Sequence, residues 1–205
     1  MKVMDCLEIL REIKDCAFAT VDKNGIPRNR IIDVMIVEDE KLYFLTARGK
    51  HFHEELTECG FAAITGLNKN WQSVRLVGKV EKLADQKHWI DRIFECNPSM
   101  NDVYPGDSRY ILEAFCIKDG ELEFFDLSVS PIYRESISLG EGKMTETGFF
   151  ITEDCIGCGI CQSNCPQQCI EEGTPFVIQQ EHCLHCGLCF ENCSVQAIMR
   201  REDMG

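Results

Sequence analysis

Hydrophobic residues recur with two different periods along the chain. Near the N-terminus, Val3, Leu7, Leu10 and Ile13 are spaced three and four residues apart, which places them on one face of a helix. Residues 16–127 then change to short β-branched and aromatic runs separated by turn residues, a pattern typical of an antiparallel barrel or sandwich. We therefore expect an α+β fold whose N-terminal part is mainly antiparallel sheet with flanking helices.

Turn residues divide this region into hairpins. The segment from Asp22 to Gly25 contains Asn-Gly, a strong hairpin signal, and the acidic residues 38–40 mark a second turn. Residues 51–56 and 84–95 return to helical spacing. Residues 97–110 are rich in turn formers and too polar for a core, so they predict a long surface loop between a helix and a strand.

The C-terminal third is dominated by cysteine. Nine of the fourteen cysteines fall between Cys155 and Cys193, and eight of these form two copies of C-x2-C-x2-C-x3-C. A constant offset of 28 residues superimposes the copies, which indicates an internal duplication. The ninth, Cys169, superimposes on Ala197, so we expect a small packed residue there and not a ligand. The two copies are Cys155, Cys158, Cys161 and Cys165, and Cys183, Cys186, Cys189 and Cys193.

This repeat closely resembles bacterial-type ferredoxins with two 4Fe-4S clusters, over roughly residues 145–200. Pro166 follows the fourth cysteine of the first copy as that motif expects, whereas the second copy has Ser194, a change that affects local rigidity more than cluster assembly. In such ferredoxins the fourth cysteine of each copy ligates the other cluster, and we expect it to start a helix. The implied ligand sets are Cys155, Cys158, Cys161 and Cys193 for one cluster, and Cys183, Cys186, Cys189 and Cys165 for the other. Zinc, which also binds Cys-x-x-Cys pairs, is the alternative.

Net charge and hydropathy limit the classes of partner and the cellular location that we expect for this protein. The net charge of −13 and the pI of about 4.8 would repel nucleic acids and anionic membrane surfaces. The sequence has neither a run of about 18 uncharged apolar residues nor a secretory signal. We therefore expect a cytoplasmic protein, in which cysteines hold metal more readily than they form disulfides. The five cysteines outside the repeat are expected to pack in the core; they are Cys6, Cys16, Cys59, Cys96 and Cys116.

Three fragments of the N-terminal region resemble, in order and spacing, the pyridoxamine 5′-phosphate oxidase-like split-barrel family, which binds FMN. They are CAFATVDKNGIPRNRIID, KLYFLTARGKHFHEEL and NWQSVRLVGKVEKL. The resemblance covers residues 1–127 and implies an antiparallel split β-barrel, an FMN cofactor and a homodimer whose partner subunit often completes the flavin site. The expected domains are this barrel at 1–127, a linker at 128–147 and a small ferredoxin-type α+β domain at 148–205.

An FMN phosphate needs fixed cations or free backbone amides. By resemblance, the strand at residues 30–32 lines the isoalloxazine ring, the turn at 46–50 holds the phosphate, and the strand at 71–75 approaches the flavin. Without the resemblance, the basic side chains at 28, 48 and 50 would be interpreted as solvated turn surface. The candidate contacts are Arg28, Arg30, Ile31, Ile32, Thr46, Arg48, Lys50, Trp71, Gln72 and Arg75.

Two histidines lie close in sequence to these candidate contacts. His51 and His53 are two residues apart and point to different sides of a helix, so they are not expected to ligate one metal. His51 fits a phosphate contact.

The combination predicts an FMN-dependent oxidoreductase or electron-transfer flavoprotein. The two clusters would relay electrons between an external redox partner and the flavin, because a flavin exchanges electrons in pairs or singly and each cluster moves one at a time. No general acid or base is identifiable, and the substrate is open. The alternative is a non-catalytic electron carrier or redox sensor whose barrel binds a deazaflavin, haem or nothing. An oxidase that uses dioxygen ranks lowest, since exposed clusters fit oxygen chemistry poorly.

Overall fold

The computed structural model describes residues 1–204, which form two compact units. The barrel unit comprises Met1–Lys69, Ser73–Glu123 and Ser136–Lys143. The cysteine-rich unit comprises Asn70–Gln72, Phe124–Glu135 and the chain from Met144 onward. Among the described residues, no helix is both long and apolar enough to cross a membrane.

Both units contain helices and strands. The α-helices are α1 (Val3–Ile13), α2 (His51–Cys59), α3 (Gln86–Cys96), α4 (Met100–Val103), α5 (Ile160–Asn164) and α6 (Leu188–Glu191). The strands are β1 (Asp15–Val21), β2 (Pro27–Asp33), β3 (Ile36–Glu38), β4 (Lys41–Ala47), β5 (Phe61–Leu67), β6 (Gln72–Lys82), β7 (Leu112–Asp126), β8 (Tyr133–Leu139), β9 (Phe149–Ile151), β10 (Ile170–Glu171), β11 (Val177–Ile178) and β12 (Ile198–Arg200). Short 3-10 helices cover Gly106–Ile111, Gln180–His182 and Arg201–Met204.

Eight strands form one sheet, in the order β2-β1-β5-β6-β7-β4-β3, with β8 paired to β7. Val21 pairs with Pro27 across the first turn, and Glu38 pairs with Lys41 across the second. Gly25 has a φ of 78° in the first turn, a conformation that glycine adopts without steric cost. Both predicted hairpins are therefore confirmed, as is the α+β class with an antiparallel half-barrel sheet.

Strand β4 lies in the middle of the barrel unit's core. Every residue after the first is buried, because helices cover both faces of the strand. On one face Phe44 packs against Phe18 and Phe115, with ring centroids 5.1 and 5.8 Å apart. On the other face Tyr43 stacks on Trp89 of α3 at 4.5 Å. Burying each such ring contributes roughly 2 kcal/mol, so β4 fixes where α2 and α3 dock.

Residues 97–110 and 128–147 contain regular elements that the sequence pattern did not predict. The first segment holds α4 and most of a 3-10 helix, whose polar side chains bond locally, as Ser108 Oγ does to the Pro105 carbonyl at 2.7 Å. The second is not a structureless linker, since it contains β8, which pairs with β7. Its turn-forming residues flank β8 and do not interrupt it, and residues 136–143 belong to the barrel unit.

The five cysteines outside the repeat are not all in the core. Cys6, Cys16 and Cys116 are buried, as predicted, but Cys59 and Cys96 are exposed. Each exposed thiol is on the last residue of a helix, α2 or α3. The apolar neighbours of these two cysteines in the sequence point elsewhere because a helix turns by about 100° per residue.

The cysteine-rich unit is built from two small antiparallel sheets. Strand β9 pairs with β12, and β10 pairs with β11. Its core consists of Phe149, Phe176, Ile170, Ile178 and Ile198, all at most 6% exposed. The expected helix after each fourth cysteine is wrong: α5 and α6 precede that cysteine. After it the chain turns through Gln168 and Gln196, with φ of 52° and 55°, into a strand.

Candidate functional site

The pairing of the short strands determines which cysteines come together. Cys193 precedes β12, which pairs with β9, the strand just before Cys155. Likewise Cys165 precedes β10, which pairs with β11, the strand before Cys183. Each fourth cysteine is thereby carried to the first three cysteines of the other copy.

Two cavities lie where these groups meet. Cavity A is lined by Cys155, Cys158, Cys161 and Cys193. Cavity B is lined by Cys183, Cys186, Cys189 and Cys165, with Cys169 beside them. Among residues 1–204 no three His, Cys, Asp or Glu side chains converge as a site for one metal ion. The thiols of each group instead line one shared cavity.

Glycines let the chain curl around each cavity. Gly159 and Gly187 begin α5 and α6 with φ of 72° and 81°, in the left-handed region that glycine tolerates best. Gly157 and His185, two residues earlier in each copy, also have positive φ. Backbone amides turn toward sulfur at the same loops: His185 donates to Cys183 Sγ at 3.3 Å and Ala197 donates to Cys193 Sγ at 3.2 Å. Such N–H···S bonds tune the potential of iron–sulfur clusters.

Apolar side chains close the inner wall of each cavity. Ile198 lines cavity A and Ile170 lines cavity B, and both are buried. The outer rims are open, since Ile156 is 64% exposed and Leu188 is 39% exposed. A group held in either cavity would have one protected side and one side near solvent, a condition that one-electron exchange with another protein requires.

Cys169 differs from the other thiols of cavity B. It is 2% exposed, and its Sγ lies 3.6 Å from Cys165 Sγ. Its hydrogen bond to Cys183 raises the pKa of Cys169 and lowers that of Cys183. The burial of Cys169 against Cys165 is in keeping with a packed residue.

In the barrel unit, the connection from β4 to α2 has the features of an anion site. Thr46 is 2% exposed, and its Oγ1 has no hydrogen-bond partner within residues 1–204. Lys50 stands at the N-cap of α2 and makes no side-chain capping bond in the described chain. Arg48 donates to the Tyr110 carbonyl at 2.8 Å, and the His51 side chain is 94% exposed. Two cations, a buried hydroxyl and a helix N-terminus thus lie within six residues.

A cleft lies between the β1–β2 turn and α2. Two of the predicted flavin contacts line it, but each is already paired with a carboxylate. Arg28 bonds Asp22 at 2.8 Å, and Arg30 bonds Glu55 at 2.6 Å. These carboxylates neutralise the arginines, so the cleft is less positive than the sequence suggested. Its lining is Asp22, Lys23, Asn24, Arg28, Arg30, His51, Glu54, Glu55 and Glu58.

The remaining predicted contacts lie apart from the cleft. Ile31 and Arg75 are at opposite ends of a cross-strand row on the exposed face of β2, β1, β5 and β6, and Arg75 bonds Glu123 at 3.1 Å. Ile32 pairs with Cys16 in the next row. Trp71 and Gln72 belong to the cysteine-rich unit, where Gln72 donates to Asp126 at 2.9 Å. The ten residues therefore do not form one cluster.

Two buried charged networks hold α2, and the sequence did not reveal either one. On one side Glu55 accepts from Arg30 and from Thr20, which is 4% exposed. On the other side Glu113 accepts from His53 and from Lys82. The sequence signal that could have revealed these networks is an acidic residue at an inward position of a strand or helix whose other inward positions are apolar. That pattern predicts a paired charge, although not its partner.

Comparison with known proteins finds family models that match two parts of the chain. Residues 5–95 match the family described as "Pyridoxamine 5'-phosphate oxidase", and residues 148–194 match the "4Fe-4S dicluster domain". Among curated proteins, none matches this chain.

Solved structures resemble the barrel unit. A nimC/nimA family protein from Clostridium acetobutylicum is 25% identical, with a TM-score of 0.58 over 67% of this chain and 93% of that chain. A protein of the same organism related to general stress protein 26 is 14% identical, with a TM-score of 0.54 over 66% and 93%. A heme binding protein from Mycobacterium smegmatis is 9% identical, with a TM-score of 0.52 over 67% and 58%. The last two show the fold alone.

Proposed function

The chain joins a split-barrel domain of the pyridoxamine 5′-phosphate oxidase type to a C-terminal 4Fe-4S dicluster domain, and on this basis we propose that it is a flavin- and iron–sulfur-dependent oxidoreductase. Two 4Fe-4S clusters relay electrons between an external redox partner and FMN on the barrel. The observation that carries the proposal is the sorting of eight cysteines into two groups of four, each around its own cavity.

The thiols of the two cavities are the proposed cluster ligands. Cavity A takes the first three cysteines of copy one with Cys193, and cavity B takes the first three of copy two with Cys165. Strand pairing supports this crossed arrangement, since β12 meets β9 and β10 meets β11. Each cavity offers four thiolates, inner apolar walls and an open rim, which suit a group that gains and loses one electron.

The β4–α2 connection is the proposed site of the flavin phosphate. Thr46 offers a hydroxyl without a partner in the described chain, Arg48 and Lys50 offer charge, and the start of α2 offers amides. When bound, FMN exchanges two electrons with an organic substrate and one at a time with a cluster. The residues of the chain bind and orient it, and the nearby pairing of Arg28 and Arg30 with acids leaves the phosphate role to the turn.

A homodimer is part of this proposal. Strands β2, β1, β5 and β6 present an exposed face with small residues, Ala17, Ala19 and Ala63, at its centre. Larger apolar residues surround them: Ile31, Phe61 and Val77 are 62%, 53% and 53% exposed. An apolar surface of this kind favours burial against a second copy. The partner subunit would complete the ring end of the flavin site there.

The external partner is proposed to carry a basic docking face. From residue 144 onward the sequence has nine Asp or Glu and two Arg, a net charge of −7. Ligation by thiolates adds negative charge to the clusters. Complementary charge raises the rate of encounter between redox proteins, and this rate falls with ionic strength.

Anaerobic purification with quantified iron, sulfide and flavin tests the proposal. We expect about eight iron, eight sulfide and one FMN per chain, if each cavity holds a four-iron cluster. Reduction by a one-electron donor should bleach the cluster absorbance and then reduce the flavin. Zinc in place of iron, or clusters without any flavin, would contradict it.

The second candidate is a non-catalytic carrier or sensor whose barrel holds haem, a deazaflavin or nothing. Haem is included among these cofactors because the fold resembles that of a heme binding protein. The two candidates differ in their spectra, because haem gives an intense Soret band, whereas acid-released FMN gives yellow fluorescence. Finding one flavin per chain would exclude a carrier whose barrel binds no flavin.

A further inference from the structure

A charged network is buried beneath the first turn of α2. Glu113 on β7 is 7% exposed, and its carboxylate accepts from His53 Nε2 at 2.5 Å and from Lys82 Nζ at 2.8 Å. The side chain of His53 is 16% exposed, and its ring stands edge-on to Phe115 at 5.7 Å. A buried carboxylate without partners is strongly destabilising, so the ion pair with Glu113 holds the His53 ring in place.

The network adjoins the proposed phosphate turn on two sides. Thr46 and Glu113 are direct partners across β4 and β7, and directly opposed residues share one face of a sheet. His53 is the third residue of α2, and its backbone N–H bonds the Lys50 carbonyl at 2.9 Å. Fixing His53 therefore fixes the helix end on which Lys50 lies.

The Glu113 carboxylate makes no hydrogen bond to the neighbouring Thr46 hydroxyl. Both of its carboxylate oxygens are engaged, one by His53 and one by Lys82, while Thr46 Oγ1 has no partner in residues 1–204. Burial raises the pKa of Glu113, but hydrogen bonds and charge from Lys82 and His53 outweigh this and lower it below its ordinary value. The carboxylate is thus ionised and neutralised by its partners, which limits its repulsion of a nearby anion.

We propose that Glu113, His53 and Lys82 are positioning residues for a phosphate monoester held by the turn at residues 46–50. The inference rests on the proposed flavin function and specifies which part of the cofactor the barrel recognises. The network acts through the helix end and the turn and does not touch the ligand. Its loss should weaken binding of the phosphate and leave binding of the isoalloxazine ring unchanged.

Comparison of FMN with riboflavin, which lacks the phosphate, tests this. The full-length protein is purified anaerobically with its clusters, and both flavins are measured by equilibrium dialysis. His53→Leu should reduce the preference for FMN over riboflavin about tenfold, with riboflavin affinity unchanged. His53→Gln, whose amide can still donate to Glu113, should keep most of the preference.

A matched control uses another polar contact of the barrel unit. Arg11 bonds the Asn97 side chain at 2.8 Å and lies outside the turn and network. Arg11→Leu should lower stability and leave the FMN-to-riboflavin ratio unchanged. Lys82→Met, at a side chain that is 46% exposed, provides a milder test if His53→Leu does not fold.

The possible outcomes separate the two proposals. An unchanged ratio in His53→Leu, or equal loss of both flavins, would overturn the positioning role. Failure of both His53→Leu and Lys82→Met to fold would overturn it too, because the network would then serve the fold itself. Wild-type protein that binds neither flavin would contradict the proposed function instead.

Discussion

Cys169 and Ala197 occupy equivalent positions beside the two cavities. Each follows its fourth cysteine by four residues, and each is almost fully buried, at 2% and 1% exposure. Because of the duplication, the two cavities can be compared directly. Cavity A has the same architecture as cavity B, but it has the methyl group of Ala197 where cavity B has the thiol of Cys169. Cys169 is dispensable for ligation if four cysteines suffice on the other side.

Substitutions at Cys165 and Cys169 test the crossed ligation. Cys169→Ala alone should retain both clusters. Cys165→Ala, made in the Cys169→Ala background so that the neighbouring thiol cannot replace it, should lose or damage the cluster of cavity B. Iron analysis and electron paramagnetic resonance of the reduced protein measure this. Loss confined to the cluster of cavity A would contradict the wiring.

Thiol reactivity should separate the cysteines of the barrel unit. Burial, aided by the charges of Asp15 and Asp33, raises the pKa of Cys16 to about 12, so its reactive thiolate is scarce at neutral pH. Cys59 and Cys96 are exposed. Iodoacetamide applied to the native protein should modify these two well before Cys16, as peptide mass spectrometry would reveal. Equal labelling of Cys16 would mean that the α1–β1 contact opens readily.

The positions of cysteines around the cavities were predictable where sequence spacing determines them. The first three cysteines of each copy lie together because their loop is local in sequence, and their role as ligands stays a prediction. Arg30 was different: its partner Glu55 is 25 residues away, and only the docking of α2 brings them together. A basic residue predicted for the flavin is instead half of an internal ion pair, which no local pattern could indicate.

At the scale of elements, β6 and β7 approach each other unusually closely. A Cβ on Gly120 would lie 2.4 Å from the Val77 carbonyl oxygen and 2.7 Å from the Cα of Gly78. Both neighbours are backbone atoms, which cannot rotate away as a side chain can. The close approach of the two strands therefore depends on the absence of a side chain at Gly120.

Gly120→Ala should destabilise the barrel unit by about 1–3 kcal/mol through this overlap. Urea unfolding followed by far-ultraviolet circular dichroism provides the measurement. Gly49→Ala is the matched control, because a Cβ there meets nothing within 4 Å. An unchanged transition midpoint for Gly120→Ala would show that the strands can separate at little cost.

Elements with strong local signals were predicted, and those stabilised by distant partners were not. The Asn-Gly turn and the amphipathic stripe of α1 are local, and both are present. Strand β8 was not predicted because its turn-rich flanks resemble a linker, and its hydrogen bonds are to β7. The 3-10 helix at Gly106–Ile111 was likewise hidden in a polar segment.

At the scale of the whole molecule, the exposed apolar face predicts self-association. Val77→Glu would place a charge beside the small residues at the centre of the proposed dimer interface and should convert dimers into monomers, as sedimentation velocity would measure. Val103, on α4 and 66% exposed, provides the control, since Val103→Glu should leave the mass unchanged. Wild-type protein that sediments as a monomer would contradict the proposed dimer.

The path of the chain links the two units at several points. It passes between the two units after Lys69, Gln72, Glu123, Glu135 and Lys143, so β7 and β8 each contribute to both. A gene truncated before β8 would remove residues 136–143 from the barrel along with the cysteines. One cut in the chain therefore cannot separate the two units completely.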